Sequence, residues 1–156
     1  MAFADFDILM RGLTSFAADQ PLDERLETTL NDHCGLGSLI FDAVESACRE
    51  GVEAGWLCSR EGGGIRYGRV IKPGPATHGF SVDVVDMKDV VGPHHTHPQG
   101  EIDLIMPLDR DAEFDGSGAG WKVYGPGSAH SPTVTDGRAL VLYLLPGGAI
   151  EFTPAG

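Results

Sequence analysis

The chain has 156 residues, enough for one domain, and an apolar content of 42% is enough for one sizeable core. A formal charge of −12 and a pI near 4.7 argue against a nucleic-acid or anionic-membrane partner, since both call for a basic face. Cys34, Cys48 and Cys58 form no C-x-x-C pair, Met1 to Asp5 lacks the pattern of a signal peptide, and no apolar run is long enough for a bilayer, so a cytoplasmic protein with reduced thiols is expected.

Residues 1–58 read as a helical segment. Phe6, Leu9, Met10, Leu13 and Phe16 recur at spacings of three and four, an amphipathic stripe. Gln20-Pro21 interrupts it. Pro21 suits the first turn of a second helix, whose positive end is favoured by Asp23, Glu24 and Glu27 and whose buried line is Leu22, Leu26 and Leu30. A third helix follows the break at 31–37, with Leu36, Leu39, Ile40, Ala43, Val44 and Ala47 on one face. Gly51 and Gly55 weaken its far end.

The period then changes. Ile65 to Ile71 reads as a strand stopped by Pro73-Gly74-Pro75, and Gly79 to Met87 alternates through Phe80, Val82 and Val84. Val90-Val91 leads into a histidine run. Ile102 to Met106 is extended and stops at Pro107; Gly116 to Gly120 is a turn; Trp121 to Tyr124, Ala139 to Leu145 and Ile150 to Phe152 complete about eight short strands. Short strands separated by Gly/Pro turns indicate a β-sandwich or barrel. The whole chain, 1–156, is expected to form a single domain, mainly β, with the helices packed outside a barrel spanning 64–153.

The run from Gly92 to Glu101 carries the chemistry. Three of the six histidines fall within His94-His95-Thr96-His97. Alternate side chains of a strand share a face, so His95 and His97 point the same way. A bend at Pro98-Gln99-Gly100 can swing Glu101 back to them. His130 follows the tight Gly125-Pro126-Gly127 turn, and a strand there, lying opposite the first, would add a fourth ligand. Three imidazoles and a carboxylate suit one divalent ion of Fe, Mn, Ni, Co or Zn.

His95-x-His97-x3-Glu101 followed by Gly127-x2-His130 resembles the paired motifs of the cupin superfamily, which implies a jelly-roll barrel with the metal inside. The second motif departs from the usual pattern, with its Pro displaced by one and Thr133-Val134-Thr135 where an Asn is often found. Over the whole chain, the helical segment, Gly79 to Val85, Pro93 to Pro107 and Trp121 to Val134 together resemble the small cupin-type 4-hydroxylaminobenzoate lyase family. The resemblance implies conversion of 4-hydroxylaminobenzoate and water to 3,4-dihydroxybenzoate and ammonia.

Among neighbouring residues, Asp103 shares a face with Glu101 in a regular strand, and the two are the candidate proton-handling groups. His94 points away from His95, and His78 stands alone before a strand. Arg66 and Arg69 offer a fork that matches a benzoate carboxylate, and Tyr124 an aromatic surface. A cupin-type Fe(II) dioxygenase acting on a small aromatic, or a non-catalytic small-ligand-binding module, would use the same scaffold. The helical stripes need a surface to cover, so a homodimer or higher homo-oligomer is expected.

Overall fold

The structure, a computed structural model, describes residues 3–152. Three helices come first: α1 (Phe3–Ala17), α2 (Glu24–Cys34) and α3 (Leu39–Ala54). α2 begins at Glu24 rather than at Pro21, because the Asp23 carboxylate caps it by accepting from the Leu26 N–H at 3.0 Å. Ser38 caps α3 in the same way through Phe41 N–H at 3.1 Å. Leu36 and Leu39 therefore fall outside the buried line and are 72% and 89% exposed; Phe41, Val44, Ala47, Cys48 and Val52 form it instead. α3 continues through Gly51 because that position packs against the following loop: a Cβ there would lie 2.5 Å from Leu57 Cδ1.

Ten strands follow among the described residues: β1 (Arg60–Gly62), β2 (Ile65–Ile71), β3 (Phe80–Val91), β4 (His95–His97), β5 (Glu101–Pro107), β6 (Glu113–Phe114), β7 (Gly120–Tyr124), β8 (Ser128–His130), β9 (Thr133–Pro146) and β10 (Glu151–Phe152). β3 joins two stretches that read separately in the sequence. Its ladder with β9 shifts register between Lys88 and Val90, around Asp89 at φ +43°. No helix among the described residues is long and apolar enough to cross a membrane.

The strands form a large sheet of order β1-β2-β3-β9-β5-β7, with β6 also on β9, and a small sheet of order β10-β4-β8. The expected closed barrel is not formed. β7 ends the large sheet, and its outer edge is taken by side chains of α2 rather than by another strand. Asn31 Nδ2 donates to Trp121 O at 3.0 Å and Asn31 Oδ1 accepts from Trp121 N–H at 2.8 Å. Glu27 Oε1 accepts from Val123 N–H at 2.8 Å.

Strand alternation divides the large sheet into two faces. Val82, Val84, Ile102, Leu104, Leu140 and Leu142 pack with Phe6, Met10, Leu26, Leu30 and Phe41 of the helices, so the helical segment covers this outer face. Ile65, Val85, Met87, Ile105, Val141 and Tyr143 form a second cluster on the inner face. β5 is buried on both faces from Glu101 to Met106. Its alternation therefore places Glu101 and Asp103 on the inner side with Ile105. Each large apolar side chain sealed in this way contributes about 1.5–3 kcal/mol.

Candidate metal centre

β4 presents His95 and His97 on one side, as the spacing requires. The next three residues form a tight turn in which Gly100 N–H donates to His97 O at 3.1 Å. Gly100 sits at φ +88°, and a Cβ there would lie 2.7 Å from Tyr124 O, so both conformation and space call for glycine. The turn carries the chain from the small sheet to the large one and makes Glu101 the first residue of β5. His130 comes from β8, which pairs directly with β4 and sets His130 opposite His95. The third imidazole thus arrives from the adjacent strand, not from one across a barrel.

The four side chains converge. Their ligand atoms all lie within 4.8 Å of one another. His95 Nε2 and His130 Nε2 are 3.1 Å apart, His97 Nε2 is 3.1 Å from Glu101 Oε2, and His130 Nε2 is 3.7 Å from that oxygen. Hydrogen bonds on the far side of each ring fix which nitrogen carries the proton. His95 Nδ1 meets the Pro93 carbonyl at 3.2 Å, so it must donate. His97 Nδ1 meets Ser128 Oγ at 3.0 Å; that hydroxyl already gives its hydrogen to Gly125 O at 2.6 Å, so Nδ1 donates again. His130 Nδ1 donates to Asp115 Oδ2 at 2.6 Å. With the proton on Nδ1, each ring turns its Nε2 toward the same point.

This arrangement fits a cation. His97 Nε2 and both Glu101 oxygens are buried without a hydrogen-bond partner. Burying unpaired polar groups is costly, and two nitrogen lone pairs facing each other repel unless a positive ion lies between them. Three imidazoles and one carboxylate are donors of the kind that hold first-row divalent metals. Burial drives His95 down to about 4, with Glu101 opposing and the neighbouring rings assisting, so the imidazole stays unprotonated and free to ligate.

Hydrogen-bond partners outside the four complete the frame. Burial would raise the Asp115 carboxyl, but hydrogen bonds from His130, Tyr124 and Thr133 outweigh it and hold the group below the usual carboxylate range. Tyr124 O–H donates to Asp115 Oδ2 at 2.6 Å, and its ring centre lies 4.6 Å from that of His130 and 5.4 Å from that of His97. Asp103 is fully buried beside Glu101, the one group that raises its carboxyl both by charge and by a hydrogen bond. Burial first, then the Glu101 charge, pushes its carboxyl well above the ordinary range.

A cavity of about 1090 Å³ adjoins the cluster, with His95 in its wall. Arg69 lines it, paired with Asp83 at 2.8 Å. Arg66 does not: it opposes Asp86 on the other face of the sheet, 4.0 Å from its carboxylate. Tyr124 also lies outside the lining and serves Asp115 instead. His78 bonds Thr14 of α1 at 3.2 Å, away from the cluster, and His94 is not among its four members. Asp115, Ser128 and Tyr143 were not singled out by the sequence reading. Ser128 lies inside the Gly127-x2-His130 motif and was open to detection. Asp115 reaches His130 from a turn at φ +50°, which leaves no periodic trace.

The family model for 4-hydroxylaminobenzoate lyase (PnbB) matches residues 9–152. A 4-hydroxylaminobenzoate lyase from Nocardioides sp. (strain LMS-CY) is 36% identical over 138 residues, covering 83% of this chain and 82% of its own. One from Pseudomonas putida is 30% identical over 151 residues, covering 86% of each. Among solved structures, an RmlC-like cupin protein from Ralstonia eutropha aligns with a TM-score of 0.46 at 10% identity, over 59% of this chain and 61% of that one. An oxalate oxidase in complex with the substrate analogue glycolate aligns at 0.45 and 20% identity, over 61% and 58%.

Proposed function

Because this chain belongs to the 4-hydroxylaminobenzoate lyase family, we propose that it is a metal-dependent lyase converting 4-hydroxylaminobenzoate and water to 3,4-dihydroxybenzoate and ammonia. The observation that carries the metal dependence is the convergence of three Nε2 lone pairs on a buried carboxylate. A divalent transition metal held by His95, His97, Glu101 and His130 supplies a Lewis acid for the N–O bond of a hydroxylamine. The remaining work falls to side chains. Arg69 meets the benzoate carboxylate in the cavity through Nη1, since its Nε and Nη2 already donate to Asp83 and Nη2 also to Gly148 O. Loss of the substrate hydroxyl as water requires a proton, and the adjacent carboxyls of Asp103 and Glu101 are the candidate pair to move it. Ring hydroxylation and release of nitrogen as ammonia then consume water, and the atoms balance with no external oxidant.

The test is turnover of 4-hydroxylaminobenzoate by the metal-loaded protein, with and without air. The lyase reading expects ammonia and 3,4-dihydroxybenzoate in equal amounts and equal rates in both atmospheres. Turnover that stops without oxygen would instead indicate a dioxygenase. No product under conditions where the Pseudomonas putida enzyme works would remove the assignment.

A further inference from the structure

The cavity beside His95 changes character from its inner to its outer end. Its deepest polar groups are His95, 2% exposed, and Tyr143, 5% exposed. The walls above them are apolar and buried, made by Ile65, Val85 and Met87. The rim carries Arg60, Arg69 and Lys72, with Asp83 as the facing acid, already bound by Arg69.

Tyr143 is the informative residue. On β9 it stands directly opposite Asp83 of β3 on one side and Asp103 of β5 on the other. Asp103 in turn stands opposite Lys122 of β7, and Asp83 opposite Arg69 of β2. The register thus draws a row, Arg69, Asp83, Tyr143, Asp103, Lys122, across the inner face from the cavity mouth to the floor of the histidine cluster. Four members carry ionisable charge; the phenol sits at the centre. Its ring packs near Phe114, with 6.4 Å between centres, and its hydroxyl makes no hydrogen bond to any described residue. The side chain lines a cavity large enough for an aromatic acid, where its hydroxyl can meet a bound molecule.

We propose that Tyr143 is a substrate-binding residue that hydrogen-bonds the polar ring substituent of an aromatic carboxylate, which lies with that substituent inward beside His95 and its carboxylate outward at the Arg60, Arg69 and Lys72 rim. This deepens the lyase reading and rests on it for the identity of the substrate. It assigns a direction: the carbon bearing nitrogen faces the histidine cluster, and the charge faces the cations. The apolar walls between take the ring itself.

The experiment is calorimetric binding of unreactive ligands to the full-length protein, as purified with its metal, for wild type and Tyr143→Phe. The phenylalanine retains the ring packing, and metal content is measured alongside. 4-Hydroxybenzoate carries both groups, benzoate lacks the inner one, and 4-hydroxybenzamide lacks the charge. Tyr143→Phe is expected to weaken 4-hydroxybenzoate about tenfold and to leave benzoate unchanged, while 4-hydroxybenzamide binds wild type about tenfold more weakly than the acid does. Equal weakening of benzoate and 4-hydroxybenzoate, or none of either, would overturn the role of Tyr143. An amide that binds as well as the acid would overturn the orientation. These results are independent of turnover: a protein that shows the expected binding pattern but releases no ammonia keeps the pocket assignment and loses the lyase one.

Discussion

Asp115 shows how much of the candidate centre depends on a residue that is not itself a ligand. Its carboxylate takes three hydrogen bonds, from His130, Tyr124 and Thr133, and so fixes the proton of His130 on Nδ1. In Asp115→Asn the side chain keeps its shape but can donate from nitrogen, which favours the other tautomer and turns a proton toward the centre. The expected result is metal affinity lower by about 10–100-fold with the fold intact, read by competition with a chromophoric chelator. Unchanged affinity would show that the hydrogen bond is incidental. The cluster of His95, His97 and Glu101 is legible because alternation in a strand and a turn containing glycine are local properties. Asp115 is not, since two turns and β7 separate it from His130. Arg66 is a substrate candidate by residue type, and type does not say which face of a sheet a side chain occupies. The regular β2–β3 register decides it for Arg66, which stands opposite Asp86, while Arg69 three residues on stands opposite Asp83 on the cavity side.

At the scale of elements, the helices do more than cover an apolar face. α2 satisfies the open edge of β7 through Asn31 and Glu27, and Trp121 Nε1 adds a bond to Cys34 O at 3.0 Å. Gly120 belongs to the same joint: it sits at φ +137°, and a Cβ there would lie 2.9 Å from Asn31 Oδ1. Asn31→Ala leaves two backbone groups of Trp121 without partners. It is expected to lower stability by about 1–3 kcal/mol in urea denaturation while metal content stays the same. A loss of metal in that variant would mean that the joint also shapes the centre. The periodicity of the first segment predicts three helices, and the Gly/Pro punctuation predicts most strands of the second, but not the short β1 and β6. The edge cap was hidden because Asn31 and Trp121 are 90 positions apart. α2 and α3 start later than the hydrophobic stripe predicts, because the caps Asp23 and Ser38 outweigh it.

For the whole molecule, the centre lies between two sheets. His95, His97 and His130 belong to the small sheet and Glu101 to the large one, joined in the chain by the turn at residues 98–100. An ion bound by all four would clamp the sheets together, and binding to the folded state alone stabilises it by mass action. An open pair of sheets, rather than the closed barrel that strand count suggests, leaves the cavity accessible beside the cluster. The most direct test of the central claim is elemental analysis of the chain purified without added metal, for wild type and for His97→Ala at matched folded content. The account predicts close to one first-row transition-metal ion per wild-type chain and a near-complete loss in the variant. Metal-free wild type that turns over 4-hydroxylaminobenzoate at full rate, or a variant that retains its ion, would contradict it.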